Sequence, residues 1–247
     1  MCILFIAIEQ RPDYPVIICA NRDEFHQRPA QKMHWWQQQN ILAGKDLQAG
    51  GTWLGLSREG YFSALTNFRR PSSFDQHKRS RGDLVLQALN NDSHKTQQIL
   101  LQSSQQYNDF NLVFGPLNKL QAFDSVSQQF VTLAPGFHSV SNGALDDIWP
   151  KMALGVKSLE DLIKTNNIDV EAFFAIMMNQ TTATQMAAII DIKTTTHNIL
   201  EYFCCCSTSI GLPKRSPNIT IKATAAKTKN KIINNVIKVV ILKTKAE

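Results

Sequence analysis

Cys2 is the residue of this sequence best suited to covalent chemistry. Removal of Met1 would leave it with a thiol and a free α-amino group. The α-amino pKa is about 7.7–8.0, so that amine is a usable base near neutral pH. One residue then supplies both nucleophile and base, the arrangement of an N-terminal nucleophile. The thiolate is the reactive form, and a neighbouring arginine favours it. A second-position cysteine is also consistent with a small buried apolar residue. Asn21-Arg22-Asp23-Glu24 follows soon after, four polar residues of which three are charged. This segment reads either as a solvated strand end or as a site built at a rigid strand terminus. Arg22 and Asp23 could also pair with each other as a structural ion pair.

These groups need elements to hold them. Ile3 to Ile8 is a short Ile-rich apolar run and reads as a buried strand. Two prolines in Arg11-Pro12-Asp13-Tyr14-Pro15 make a turn, and Val16 to Ala20 is a second buried strand. Gly50-Gly51-Thr52-Trp53-Leu54-Gly55-Leu56, Ser57 to Gly60 and Tyr61 to Asn67 read as strand, tight turn, strand. The paired glycines allow either a close backbone approach or a turn. Helical spacing marks Gly82 to Asn90, and a second helix is expected over Thr96 to Ser104. Short strands are expected at Asn111 to Phe114, Leu120 to Phe123 and Gln129 to Leu133. A helix opens at Trp149-Pro150-Lys151, and another spans Val170 to Asn179. Blocks of strands alternating with blocks of helices predict a layered α+β domain rather than βαβ units.

Composition narrows the function. Apolar residues make up 43% and charged residues 19%, enough for a sizeable core. The net charge is +6, but Ser207 to Glu247 alone carries nine Lys/Arg against one acidic residue. The remainder is slightly acidic, so the basic balance describes the tail and predicts no nucleic-acid-binding domain. No apolar run reaches the ~20 residues needed to cross a bilayer, so no membrane span is expected. Met1 to Ile8 is apolar but short, with no basic residue before it, and is not expected to be a signal peptide. Cys2, Cys19 and the run Cys204-Cys205-Cys206 form no CxxC pair and no zinc spacing with histidine. A reducing, cytoplasmic setting is the expectation.

Cys2, the two strands and Asn21-Arg22-Asp23-Glu24 together resemble the NRDE family, also called the transport and Golgi organisation protein 2 family. Gly51-Thr52-Trp53-Leu54-Gly55, Ala64-Leu65-Thr66-Asn67, Ser80-Arg81-Gly82, and Ser141-Asn142 followed by Trp149-Pro150-Lys151 add to the resemblance, in family order. It covers roughly residues 1–180. It implies an αββα four-layer sandwich of N-terminal-nucleophile hydrolase type, with two stacked antiparallel sheets between helices. It also implies an amidohydrolase-like site, in which Cys2 attacks an amide carbonyl and Arg22 and Asp23 orient it. Asn67 would help form the oxyanion hole, and Asn142 would be the second site asparagine. From their own residue type, both asparagines could simply begin turns. The implied partner is a small-molecule substrate or ligand, and the alternatives to catalysis are a noncatalytic haem or acyl-ligand binding or trafficking protein and an inactive, C-terminally altered remnant. No cofactor is required, but the family's link to haem trafficking makes haem a candidate ligand. His26, His34 and His138 would be its candidate axial groups, and none is assigned to it. No CxxCH motif supports covalent haem. The oligomeric state is left open.

The resemblance weakens near Ala183, giving a family domain over 1–183 and a divergent basic segment over 184–247. The family implies a later Ile-Phe-Val strand and a Gly-Thr-Arg-Ser-like segment whose arginine completes the site. Neither is present here. Some codon choices for Leu200 through Cys206, read one base on, would encode Ser-Asn-Ile-Phe-Val-Val, which suggests a frameshift. Coding DNA with no shifted frame that restores a Gly-Thr-Arg-type segment would exclude it. Loss of late central strands predicts exposed sheet edges and poor native packing after residue 183. Ile232 to Leu242 is left open between helix and strand.

Overall fold

The computed structural model describes residues 2–25, 27–70, 74–147, 149–165, 170–178, 219–229 and 233–244. Strands β1 (Ile3–Ile8) and β2 (Val16–Phe25) form the expected N-terminal hairpin, in register from Ile3↔Asn21 to Ile8↔Val16. The turn closes through a 2.7 Å hydrogen bond from the Glu9 N–H to the Pro15 carbonyl.

β2 is longer than its apolar run. Asn21-Arg22-Asp23-Glu24 lies within the strand, not in a loop at its mouth. The cause is a partner that sequence patterning did not supply. β12 (Ile233–Thr244) pairs with β2 from Ile233↔Phe25 to Leu242↔Val16, so the polar end of β2 has a ladder to join. β11 (Ile219–Lys229) then pairs with β12. Of the run left open between helix and strand, Ile233 to Leu242 lies in β12, as expected of a Val/Ile-rich run. β2 therefore has a strand on each side, β1 and β12. Residues 184–218 lie outside the described residues, and with them the three adjacent cysteines.

β10 (Gly136–Val140) flanks β1 on its other side, completing the order β10-β1-β2-β12-β11. The second sheet is an antiparallel meander in chain order. It runs through β3 (Ala30–Trp36), β4 (Ile41–Asp46), β5 (Leu54–Ser57), β6 (Tyr61–Asn67), β7 (Phe110–Pro116), β8 (Gln121–Asp124) and β9 (Gln129–Thr132). The helices are α1 (Gly82–Asn90), α2 (Ser93–Ser103), α3 (Pro150–Lys164) and α4 (Val170–Met178).

Strand alternation sets the layers. Leu4, Ile6, Ile8, Val16, Ile18 and Ala20 pack against Leu54, Leu56, Phe62, Ala64 and Val113, which places one core between the sheets. The intervening residues Ile3, Phe5, Ala7, Ile17 and Cys19 pack instead on α3 and α4. Ile41, Ala43, Leu112 and Phe114 cover the outer face of the second sheet against Leu84, Val85, Ala88 and Leu89 of α1. The stack is therefore helices, sheet, sheet, helices, the αββα sandwich implied by the resemblance. No described helix is long and apolar enough to cross a membrane.

Candidate active site

Cys2 immediately precedes β1 and is mostly buried. Continuing the β1–β2 register one step beyond Ile3↔Asn21 brings Cys2 opposite Arg22. The β1–β10 ladder ends at Leu4↔Val140, and the segment after it carries Ser141 and Asn142 past the head of β1. The sequence spreads these positions over 140 residues, and the two ladders bring the segments that carry Arg22 and Asn142 to the end of β1 that Cys2 precedes. The Ser141 hydroxyl donates to the Cys2 carbonyl at 2.8 Å and ties that segment to Cys2.

Alternation puts Arg22 on the inter-sheet face, with Ile18 and Ala20 before it. Its guanidinium lies 2.6 Å from Glu24 and 3.5 Å from Asp46 of β4, in the facing sheet. Arg28 bonds the same Asp46 carboxylate at 2.8 Å and approaches Glu24 at 3.9 Å. Two arginines and two carboxylates thus form a neutral cluster that joins the sheets beside Cys2. Burial pushes Asp46 toward its neutral form, but the Ala49 N–H, Arg28 and the Gln48 N–H outweigh it. Its pKa falls below the usual carboxylate range. The stability that Asp46 contributes is present above its unfolded pKa and fades as pH drops through the folded value. Glu24, read in the sequence only as part of a polar segment after β2's apolar run, and Arg28 are thus members of this network. Asp23 lies in β2 opposite Asn235 of β12.

Asn142 is tied to the other sheet as well. Its Nδ2 donates to the Asn67 carbonyl at the end of β6, at 2.6 Å, while its own carbonyl accepts from the Arg69 N–H at 2.9 Å. Its Oδ1 is buried and has no hydrogen-bond partner among the described residues. A buried acceptor left in this state invites a donor from a ligand. Asn111, a residue not singled out in the sequence, fixes the same loop from β7. Its Nδ2 donates to the Gly143 carbonyl at 2.7 Å and lies 3.4 Å from the Ser141 carbonyl and 3.3 Å from the Thr66 hydroxyl.

Arg81 is the second residue that sequence reasoning passed over, although it stands inside a quoted motif. A Cβ at Gly51 would lie 2.9 Å from the Gly82 backbone, so these two glycines permit direct contact between chain segments. That contact seats the start of α1 on the turn before β5. Arg81, just ahead of α1, donates from Nη1 to the Asp109 carbonyl at 3.0 Å. Burial depresses its pKa below the usual arginine value, against the opposing pull of Cys2 and Asp109.

Cys19 contrasts with Cys2. It is fully buried on the helix side of β2, and burial pushes its thiol pKa far upward, which keeps it protonated and inert. His138 is also committed. Its Nδ1 bonds Asp146 at 2.9 Å and its Nε2 bonds the Ala134 carbonyl at 2.8 Å, leaving no nitrogen open to a haem iron. His34 is bonded through Nδ1 to the Lys32 carbonyl, and His26 lies outside the described residues. No group of three His, Cys, Asp or Glu suited to a metal occurs among the described residues.

The Asp146 hydrogen bond raises the His138 pKa; burial opposes this and the Ala134 carbonyl adds to it. The His138 contribution to stability is complete below its unfolded pKa of about 6.5 and is lost as pH rises through the higher folded value. His138→Gln is expected to flatten the loss of stability between about pH 6 and pH 8. Urea titrations at both pH values check this, and an unchanged slope contradicts it.

The fold is thus a four-layer αββα sandwich with Cys2 at the head of an inner strand. The chain belongs to the Transport and Golgi organisation 2 family, whose match covers residues 1–216. It is 36% identical over 172 residues to the Transport and Golgi organization protein 2 homolog of Bos taurus, covering 63% of this chain and 62% of that protein. Against the homolog of Homo sapiens the identity is 35% with the same coverage. The match thus spans a little under two thirds of the length of these relatives. Among solved structures the chain is similar to the N-acylethanolamine-hydrolyzing acid amidase ortholog of Caenorhabditis elegans. The TM-score is 0.48 at 10% identity, over 75% of this chain and 89% of that one. A mutant conjugated bile acid hydrolase of Clostridium perfringens gives a TM-score of 0.46 at 10% identity, over 72% and 78%.

Proposed function

We propose that this protein is an N-terminal cysteine amidohydrolase that cleaves the carbon–nitrogen bond of a small-molecule amide. The observation that carries the reading is the placement of Cys2 at the head of β1, between the strand that carries Arg22 and the segment that carries Asn142, with side chains of Asn142 and Arg22 bonded to the facing sheet. After removal of Met1, the α-amine takes the Cys2 thiol proton and the thiolate attacks the amide carbonyl carbon. The Asn67 side-chain amide donates to the resulting oxyanion. Collapse breaks the C–N bond, and the departing amine leaves with the proton held by the α-ammonium. A thioester remains on Cys2. Water attacks it with the α-amine again as base, releasing the carboxylic acid and restoring the thiol. Asn142 Oδ1 is the acceptor available to the α-ammonium or to a substrate N–H.

Amine release from a panel of N-acyl amides tests the reading. Wild type is expected to turn over at least one member, and Cys2→Ala none. Equal release by both proteins overturns it. The missing Gly-Thr-Arg segment favours a second reading, a binder of an acyl ligand or haem without turnover. Saturable binding that survives Cys2→Ala, with no amine released, would select that reading.

A further inference from the structure

Ser141 and Asn142 sit in a loop closed at its base by a clasp between Ser139 and Asp146. The Asp146 N–H donates to the Ser139 carbonyl at 2.8 Å, and the Ser139 N–H donates to Asp146 Oδ1 at 2.6 Å. Asp146 has a left-handed backbone, φ 59°, which aspartate tolerates better than most non-glycine residues. Its other oxygen, Oδ2, lies 2.9 Å from His138 Nδ1, and Nε2 of the same ring lies 2.8 Å from the Ala134 carbonyl. Inside the loop, Ser141 bonds the Cys2 carbonyl and Asn142 bonds the Asn67 carbonyl. Hydrogen bonds and adjacent residues thus join the His138 ring to Cys2.

Both partners of that ring are acceptors only. A carboxylate and a peptide carbonyl have no proton to give, and a neutral imidazole carries one N–H. The two contacts are made together only by the imidazolium. On losing a proton the ring must release either Asp146 or the Ala134 carbonyl. Asp146 is the charge that faces it. β1 and β10 hold no other titratable side chain, and His138 shares the face of its register partner Ile6, toward the core between the sheets. Ala122, Leu120 and Leu133 enter that core from the facing sheet. α3 packs on the opposite face of β10 with Phe137, so Lys151, Lys157, Glu160, Asp161 and Lys164 stand on the far side. Asp147 accepts from the Ala144 N–H at 2.8 Å.

We infer that His138 is a positioning residue for the candidate active site: its imidazolium fixes Asp146, and Asp146 fixes the loop that sets Ser141 and Asn142 beside Cys2. The inference rests on Cys2 and Asn142 forming the site proposed above. Below the pKa of a free histidine, about 6.5, the ring is charged whether the loop is clasped or open, and the clasp is at full strength. Asp146 raises the value of the clasped ring. As pH rises through that higher value, one contact is lost and the loop opens more easily.

Hydrogen–deuterium exchange of the full chain, corrected for the intrinsic rate at each pH, tests this. Amides of residues 139–147 are expected to exchange faster than those of β7, through a local opening. Their protection should fall roughly fivefold between about pH 6 and pH 8, the effect of one hydrogen bond. In His138→Gln this pH dependence should vanish. A local exchange that ignores pH in wild type overturns the inference, as does a loop that exchanges no faster than β7. The wild-type profile decides the matter if His138→Gln does not fold. The link to Cys2 is read from its alkylation by iodoacetamide, by mass on the N-terminal peptide, as the ratio of the wild-type rate to that of His138→Gln. Titration of the thiol cancels in this ratio. It should rise roughly fivefold over the same pH range as the wild-type loop loosens. A constant ratio overturns the inference. Neither readout needs a substrate. A pH-dependent loop in a protein that releases no amine would therefore reject the amidohydrolase reading alone.

Discussion

Arg22→Met should destabilise the fold by about 3 kcal/mol, the lower end of what breaking a buried ion pair costs. Arg22 is 13% exposed, and its partners Glu24 and Asp46 are 21% and 11% exposed. Water can therefore do little to relieve the two carboxylates once the guanidinium is gone. Arg28 remains, 2.8 Å from Asp46 but 3.9 Å from Glu24. For a domain of this size the melting temperature should fall by roughly 6–12 °C. The double variant Arg22→Met/Glu24→Gln restores neutrality and should recover part of the loss, a coupling that separates charge from packing. Thermal unfolding of the three proteins checks this. A loss below about 1 kcal/mol in the single variant would show that the cluster behaves as a screened surface pair.

Asn111→Asp should cost as much or more, although it changes no heavy-atom count. The amide donates into the Ser141–Gly143 loop, where the Gly143 and Ser141 carbonyls wait as acceptors. A carboxylate has no proton to give and would face those oxygens as a buried anion. Asn111→Leu removes the donor without adding charge and should cost about 1–3 kcal/mol. The aspartate is thus expected to be worse than leucine, against the order of similarity. Its deficit should grow as pH rises above about 4, because the buried acid resists ionisation while the unfolded one does not. Both variants free the loop that presents Asn142 and bonds the Cys2 carbonyl, so alkylation of Cys2 should change with stability. Urea unfolding at about pH 5 and pH 8 separates the two effects. Equal costs for aspartate and leucine at both pH values would contradict this assignment.

The first hairpin, the β5–β6 hairpin and the four helices of the described residues were legible in the sequence because each has a local signature: an apolar run, a glycine turn or helical spacing. The candidate residues Cys2, Arg22, Asn67 and Asn142 came from the resemblance, and β2 and the segment after β10 bring Arg22 and Asn142 to the end of β1 that Cys2 precedes. That convergence was not legible. It depends on two strand registers, which are set by pairing partners far apart in the chain. β3 and β4 were missed because their faces are unevenly buried and lack clean alternation. β10, with Gly136 and His138, carries no apolar run. The length of β2 was misjudged because polar residues extend a strand only when a neighbour supplies the ladder, and β12 comes from a tail read as divergent. Arg81 and Asn111 act through backbone carbonyls, which leave no mark in side-chain patterning. The one available signal for Arg81 was the pair of glycine motifs around it, which meet in space at Gly51 and Gly82.

The central claim is that Cys2 carries an acyl group during the reaction. The most direct measurement is the intact and N-terminal-peptide mass of purified protein before and after exposure to an activated acylating probe, with Cys2→Ala alongside. The account predicts a chain that lacks Met1 and a single acyl adduct on Cys2 that is absent from Cys2→Ala. A chain that retains Met1, or acylation confined to Cys204–Cys206, would contradict it.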